Sequence, residues 1–414
     1  MTRLIDASLR SAGLPALERS AWIEVDIDVL TANANALTSY SEPTHVGAVV
    51  KADGYGHGLE MAARCAVAGG AKWLCVADSS EATRLRRDGY AGRTFVLYPV
   101  PPAVLSTMAR LQVDVTVGGV EEAKDLARSL DSNDPTLAVH LEIDTGMTRG
   151  GVTPDDTLAA ASSLADGKGT KLVGVWTHLA APEDPATTRA QLARFESALT
   201  LLASAGIETE EVHAAASGGL LAVDTAAHTL VRPGLAFYGI HPGAGGPLPP
   251  QVAPALAVKA HPVRIVEVSP GTSIGYAGTW TTDRPSVVAT LPIGYADGWA
   301  RSSSPGTSVI VEGKLAPIVG RVSSDSLTVD VTDIANVKPD SEFTLLGKVG
   351  NDVVTADAVA EARGTISWEV LQQLGSRLSR VYISASETIA IRPESTTHLT
   401  TAPGVSLPSY AGRL

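Results

Sequence analysis

A single lysine closes an apolar run in "AVVKADGYGHG" (Ala48–Gly58), immediately before a glycine-rich turn. An amine at the end of a buried strand can form a Schiff base with a carbonyl compound when burial frees it of its proton. On this segment alone, Lys51 reads equally well as a strand-end lysine pointing to water. Arg149, in "HLEIDTGMTRGG" (His140–Gly151), lies in a glycine-flanked loop and suits a carboxylate or a phenolate oxygen, with Glu142 as a candidate buried partner. His178 ends the apolar run of "GVWTHLAAPED", where a satisfied core histidine is the ordinary expectation. Ser217, in "HAAASGGLL", precedes two glycines and a helix-like stretch, so it is either part of an anion cradle or an N-cap. "LVRPGLAFYG" sets Arg232, Pro233 and Gly234 after another apolar run; Gly234 either lets backbone approach a ligand or marks a plain turn. Further on, "SIGYAGTW" and "PIGYADGWARSSS" place Tyr276 and Tyr295 between glycines, where a phenol serves as general acid or base or packs at a turn. "VGRVSSDSLTVDV" puts Arg321, Ser324 and Asp325 between two strands, as a site wall or an exposed turn.

These residues need elements to hold them. From about residue 44 to 238, β-branched runs ("HVGAVV", "WLCVA", "TFVLY", "VDVTV", "AVHLEI", "LVGVWTH", "EEVHAA", "LVRPGLAFYG") alternate with alanine- and leucine-rich, helix-like segments. Eight such alternations fit an α/β chain folded as a (β/α)8 TIM-like barrel better than an open sheet. In that barrel the C-terminal ends of the strands face the active site. The positions to watch are then Lys51, Asp78, Tyr98, Arg149, His178, Ser217 and Arg232. "HPGAGGPLPP" is a Gly/Pro linker, and the segments after it are short strands punctuated by turns. The reading is a barrel over 1–245, a mostly β domain over 246–395, and a poorly ordered tail over 396–414. The early strand and helix of "AWIEVDIDVLTANANALTSY" have two open placements, with the second domain or as a cap on the barrel.

The totals exclude several classes. The 414 residues carry a net charge of −12, and no basic stripe offers a nucleic-acid surface. No run of about 18 apolar residues is present, so no membrane span is expected. Two cysteines without a CxxC or CxxH pattern make neither a zinc site nor a disulfide framework. With no apolar signal segment at the N-terminus, a cytoplasmic protein is expected.

Taken together, "AVVKADGYGHG", "IDTGMTR", "RPGLAFYG", "SIGYAGTW" and "IGYADG" resemble the alanine racemases, pyridoxal-phosphate (PLP) enzymes with a barrel and a C-terminal β domain. The likeness spans roughly residues 22 to 382. It implies that Lys51 carries PLP as a Schiff base and that Tyr276, from the partner in a head-to-tail homodimer, is the second base, bonded to His178. It implies that Tyr55, Ser217 and the backbone at Gly234 and Leu235 bind the phosphate. Arg232 would face the pyridine nitrogen, and Arg149 would contact the phenolic oxygen and the substrate carboxylate. Tyr295, Arg301, Arg321 and Glu183 resemble the family's entry funnel. A guanidinium only donates hydrogen bonds, so a ring nitrogen facing Arg232 must accept and stays unprotonated, which suits racemisation better than decarboxylation.

The chain also departs from the family pattern. Glu142 stands where the family often has a carbamylated lysine, and supplies the anion directly. Ser323, Ser324 and Asp325 replace a Cys-Met-Asp run; Ser324 would still offer its N–H to the substrate carboxylate. Ser376 replaces a phosphate-side tyrosine, and Ala216 replaces a polar residue. The implied activity is interconversion of L- and D-alanine. The alternatives are a racemase of a larger or more polar amino acid, a specialised PLP enzyme on this scaffold, and a non-catalytic PLP-binding protein.

Overall fold

The first strand, β1 (Ala21–Asp26), leads into a helix (Ile27–Ser41) and then into eight strands that alternate with helices. These are β2 (His45–Val49), β3 (Trp73–Val76), β4 (Arg93–Val96), β5 (Asp114–Val117), β6 (Leu137–Glu142), β7 (Thr170–Trp176), β8 (Glu211–His213) and β9 (Leu230–Val231). All are paired parallel, in the order β8-β7-β6-β5-β4-β3-β2-β9. The seam between β8 and β9 is stitched by Arg232 N–H to Ala215 O (2.8 Å) and Thr229 N–H to Val212 O (2.9 Å). The eight predicted runs are therefore the eight barrel strands. Their near-continuous burial, complete along β3 and β5, is what parallel strands covered on both faces require. The computed structural model describes residues 3–130, 133–165 and 169–410.

The chain groups into two units. The barrel unit takes Leu30–Gly54, Leu59–Ala253 and the chain from Pro408; the β-rich unit takes the chain up to Val29, Tyr55–Gly58 and Pro254–Leu407. The open placement of β1 is thereby decided, because it pairs antiparallel with β10 (Leu256–Ala260) and parallel with a late strand whose register runs from Ser379 to Ile383. Between them the β-rich unit adds β11 (Arg264–Val268), β12 (Ser273–Ile274), β13 (Trp280–Thr281), β14 (Ser286–Leu291), β15 (Ser308–Val311), β16 (Lys314–Val319), β17 (Leu327–Asp330), β18 (Phe343–Val349) and β19 (Asp352–Val354). The chain ends with β20 (Ser379–Ser384), β21 (Glu387–Arg392) and β22 (Thr400–Thr401).

The tail differs from its expected disorder. Its strand β22 pairs with β21, and Ala402 packs with Ile5, Leu9, Trp22 and Val381 in a buried cluster. Beyond it, the Tyr410 phenol donates to Asp88 Oδ2 at 2.6 Å, and its ring lies 4.8 Å from the Arg64 guanidinium. Small side chains hide this in the sequence, because a few apolar anchors suffice once neighbouring strands are in place. Residues 411–414 lie outside the described residues.

The barrel interior is filled by rings. Phe95 on β4 packs 4.4 Å from His140 on β6 and edge-on to Trp176 and His213. The β6–β7 register shifts between Val139 and His140, and Gly174 makes room for the imidazole: a Cβ there would come within 2.6 Å of His140 Cε1. Gly174→Ala is expected to destabilise the protein by about 1–3 kcal/mol through overpacking. Urea unfolding of the purified variant checks this.

Candidate active site

Lys51 follows β2 at the barrel's C-terminal end and opens a turn in which Ala52, Asp53 and Gly54 have φ of 53°, 55° and 62°. Two non-glycine residues in the left-handed region need an external hold. Glu81 provides it, accepting from Ala52 N–H (2.7 Å) and from Ala77 N–H (2.9 Å). Asp53 is tied to Arg84 (3.2 Å), which also pairs with Glu60. The backbone is thus fixed while the amine is not: Lys51 Nζ has neither a hydrogen bond nor a carboxylate partner among the described residues. It lies 5.6 Å from the centroid of the Tyr98 ring, and the Arg149 guanidinium lies 5.5 Å from the same ring. Burial and the nearby Arg149 charge hold the Lys51 amine below its usual 10.5, against the smaller opposing pull of Glu81. A free-base amine is the form that attacks a carbonyl.

Arg232 is the barrel's buried cation, at 2% exposure. It donates from Nη1 to His213 Nδ1 (2.5 Å) and from Nη2 to Thr177 O (2.8 Å) and Ala214 O (3.2 Å), with His178 Nδ1 at 3.5 Å. The Trp176 ring sits 4.8 Å from it. These bonds use the terminal nitrogens and leave Nε without a partner among the described residues. Burial lowers the guanidinium to about 10, so it stays charged at neutral pH. His178 is driven down to about 3 by desolvation and by the charges of Arg232, Arg149 and Lys51, which keeps its imidazole neutral.

Ser217 is buried at the start of the helix Ser217–Ala222, and its hydroxyl accepts from Gly234 N–H (2.9 Å) and Ala236 N–H (3.2 Å). Leu235 opens the short 3-10 turn Leu235–Tyr238 between those two donors. Ala216, the residue before the serine, forms a bridge pair with Arg232. An amine without an acid partner, an unpartnered arginine Nε and a hydroxyl gathering backbone N–H groups are the donors a phosphorylated pyridine aldehyde requires. On those observations the residues fit PLP.

Two expectations for this unit need correction. Arg149 and Glu142 form no ion pair among the described contacts; Arg149 is exposed and Glu142 is buried against Gly150 and Gly151. Asp78 is an N-cap, accepting from Ser80 and Glu81 N–H. Sequence reasoning did not find Glu81, because a glutamate in the first turn of a helix gives no sign of a backbone partner in another βα unit. His213, His140 and Asp114 were missed because single polar residues inside apolar runs carry no periodic signal.

The other predicted residues belong to the β-rich unit. Tyr276 is 71% exposed, at the tip of the β12–β13 hairpin behind Gly275, whose φ is 71°. Tyr55 is buried with φ 51°. Ser323 O and Ser324 O accept from Tyr295 N–H and Ala296 N–H, which fixes that loop, and Asp325 pairs with Arg377 at 2.8 Å. Arg321 Nε is buried with no hydrogen-bond partner among the described residues, Ser376 O accepts from Ser395 N–H, and Tyr295, Arg301 and, in the barrel unit, Glu183 are exposed. Among the described residues there is no metal-type cluster of His, Cys, Asp and Glu, and no helix is long and apolar enough to cross a membrane.

Glu142 yields a pH prediction. Desolvation raises its carboxyl from 4.5 to about 7, with Arg149 and Arg232 opposing. Between those two values the folded protein holds a proton that the unfolded chain has lost, so this group's contribution to stability falls as pH rises through the window. Glu142→Gln is expected to be more stable than the parent at pH 8 by on the order of 1–3 kcal/mol, and to show little difference at pH 4. Urea unfolding of both proteins at the two pH values checks this.

Comparison with known proteins finds matches along most of the chain. Residues 25–242 match the alanine racemase N-terminal domain and residues 255–382 the C-terminal domain. An alanine racemase of Symbiobacterium thermophilum is 37% identical over 366 residues, covering 88% of this chain and 97% of that protein. The crystal structure of alanine racemase from Bacillus anthracis with bound L-Ala-P superposes with a TM-score of 0.86 at 31% identity, covering 92% of this chain and 99% of the other. A histidine racemase from Leuconostoc mesenteroides superposes with a TM-score of 0.80 at 26% identity, covering 89% and 99%. With both domain patterns present in order and almost the whole of each relative matched, the chain belongs to the alanine racemase family.

Proposed function

We propose that the protein interconverts L- and D-alanine with PLP, exchanging the α-proton between Lys51 on one face and Tyr276 of a second copy on the other. The observation that carries this reading is the Lys51 amine: buried, depressed below its usual value, and without an ion-pair partner among the described residues. PLP, when bound, supplies the electron sink that makes the α-proton removable. Lys51 would hold the cofactor through its amine and, as a free base, would take or return the proton at Cα. Arg149, whose guanidinium is exposed, binds the substrate carboxylate and the cofactor's phenolic oxygen. Arg232 donates to the ring nitrogen, which must then accept. His178, kept neutral, bonds the partner's tyrosine. Ser217, Gly234, Leu235 and Tyr55 hold the phosphate, and Ser324 offers its N–H to the carboxylate. The exposure of Tyr276 on a glycine-bounded hairpin tip supports its delivery to another protomer's barrel, hence a head-to-tail homodimer. A cytoplasmic location belongs to the same reading.

A second reading has specific support. Ser324 and Ser376 put small polar side chains where the family pattern has Met and Tyr, and a neighbour of the same fold is named a histidine racemase. A larger or more polar amino acid is the substrate class this favours.

Two measurements decide. Over a panel of amino acids, alanine is expected to interconvert fastest; turnover of serine, lysine or histidine without alanine would transfer the assignment to the second reading. Tyr276→Phe is expected to abolish solvent-deuterium exchange into one enantiomer while the other still exchanges. Undiminished exchange into both enantiomers would refute the two-base assignment.

A further inference from the structure

Below Arg232 the barrel interior holds a line of polar side chains that the proposed mechanism does not use. His213 on β8 accepts from Arg232 at Nδ1 (2.5 Å), and its Nε2 lies 3.0 Å from His140 Nδ1 on β6. His140 Nε2 lies 3.2 Å from Asp114 Oδ2, and Asp114 is the first residue of β5. The same Asp114 oxygen accepts from Arg93 at 3.0 Å, and Arg93 is the first residue of β4. Both imidazoles are fully buried, and Asp114 is 6% exposed. The line therefore runs from the N-terminal floor of the barrel to its C-terminal mouth.

Its proton pattern follows from the two ends. Arginine only donates, so His213 Nδ1 must accept and His213 carries its proton on Nε2. His140 Nδ1 must then accept, which puts the His140 proton on Nε2, pointing at Asp114. A carboxylate only accepts, and it closes the line. A second proton on either ring would set donor against donor. Neither imidazole can turn to escape this. Phe95 packs at 4.4 Å from His140 and 5.5 Å from His213, Trp73 lies edge-on to His140, and Trp176 stacks on His213 at 5.8 Å. Desolvation and the Arg232 charge also push His213 well below its usual value, consistent with a neutral ring.

We infer that His213, His140 and Asp114 form a one-directional hydrogen-bond relay that positions Arg232, so that a carboxylate at the barrel floor sets how the guanidinium presents its Nε at the mouth. These are positioning residues, acting through one another. The inference rests on the reading of Arg232 as the ring-nitrogen donor only for its effect on catalysis; the proton pattern stands on this geometry alone.

The test therefore has two arms. In protein with 15N-labelled histidine, without added cofactor or substrate, His140 and His213 are both expected to show a protonated Nε2 and an unprotonated Nδ1. A protonated Nδ1 or an imidazolium at either position overturns the relay, whatever reaction the enzyme performs. In the holoenzyme, Asp114→Ala leaves the His140 proton without an acceptor, and kcat is expected to fall about tenfold with KM within about twofold, the scale on which orienting partners act. Asp114→Asn can keep an oxygen where Oδ2 accepts from both His140 and Arg93, and is expected to recover kcat to within about twofold of the parent. Equal impairment of both variants would reduce Asp114 to a structural role and overturn the proposal, as would an Asp114→Ala enzyme indistinguishable from the parent.

Discussion

A guanidinium can only donate, and this fold seals one inside a barrel. Arg232 is almost wholly buried, and a buried charge is tolerated only where acceptors surround it. Two carbonyls, Thr177 O and Ala214 O, and one imidazole nitrogen meet that demand. The carbonyls come from the ends of neighbouring strands, so the parallel barrel itself supplies them at the level where β7, β8 and β9 stop. The imidazole cannot accept on one side without donating on the other, and that requirement passes down the barrel to Asp114. Upward, the same charge helps keep His178 neutral. One residue type, placed at one strand end, thus orders the proton pattern of much of the interior.

The other constraint is local backbone. Lys51 sits at the start of a left-handed turn that the chain would not adopt unaided, and Glu81 pins it from the next βα unit. The consequence is a pinned stem below an amine that no hydrogen bond holds among the described residues. The Tyr98 ring then neighbours both cations of the mouth, Lys51 at 5.6 Å and Arg149 at 5.5 Å. The mutual repulsion of those cations helps lower the lysine, and the aromatic face gives each a favourable neighbour. Fold and reactivity meet here: the strand end sets the position, burial sets the protonation, and the second cation adjusts it.

The barrel was legible because eight β-branched runs alternate with helix-like segments, and each run became a strand. The residues at the strand ends were legible for the same reason, since the topology says where strand ends must gather. What the sequence concealed is what three-dimensional pairing decides. The placement of β1 depends on partners more than two hundred residues away, at Leu256–Ala260 and Ser379–Ser384. Arg149 and Glu142, seven residues apart and opposite in charge, looked like a pair, yet no ion pair joins them among the described residues, one being exposed and the other buried. The buried histidines were overlooked because a polar residue in a strand announces neither its partner nor its tautomer. Ser324 and Ser376 are visible as departures, but substrate choice depends on shape across a site, which composition does not encode.

The proposed activity turns on Lys51 holding PLP covalently. The most direct measurement is the absorbance of the purified protein near ~420 nm, where PLP bound to a protein amine absorbs, before and after borohydride, followed by peptide mapping. The band is expected to disappear on reduction, with the pyridoxyl label recovered on the peptide containing Lys51. Protein that takes up no PLP, or a label fixed at another lysine, would contradict it.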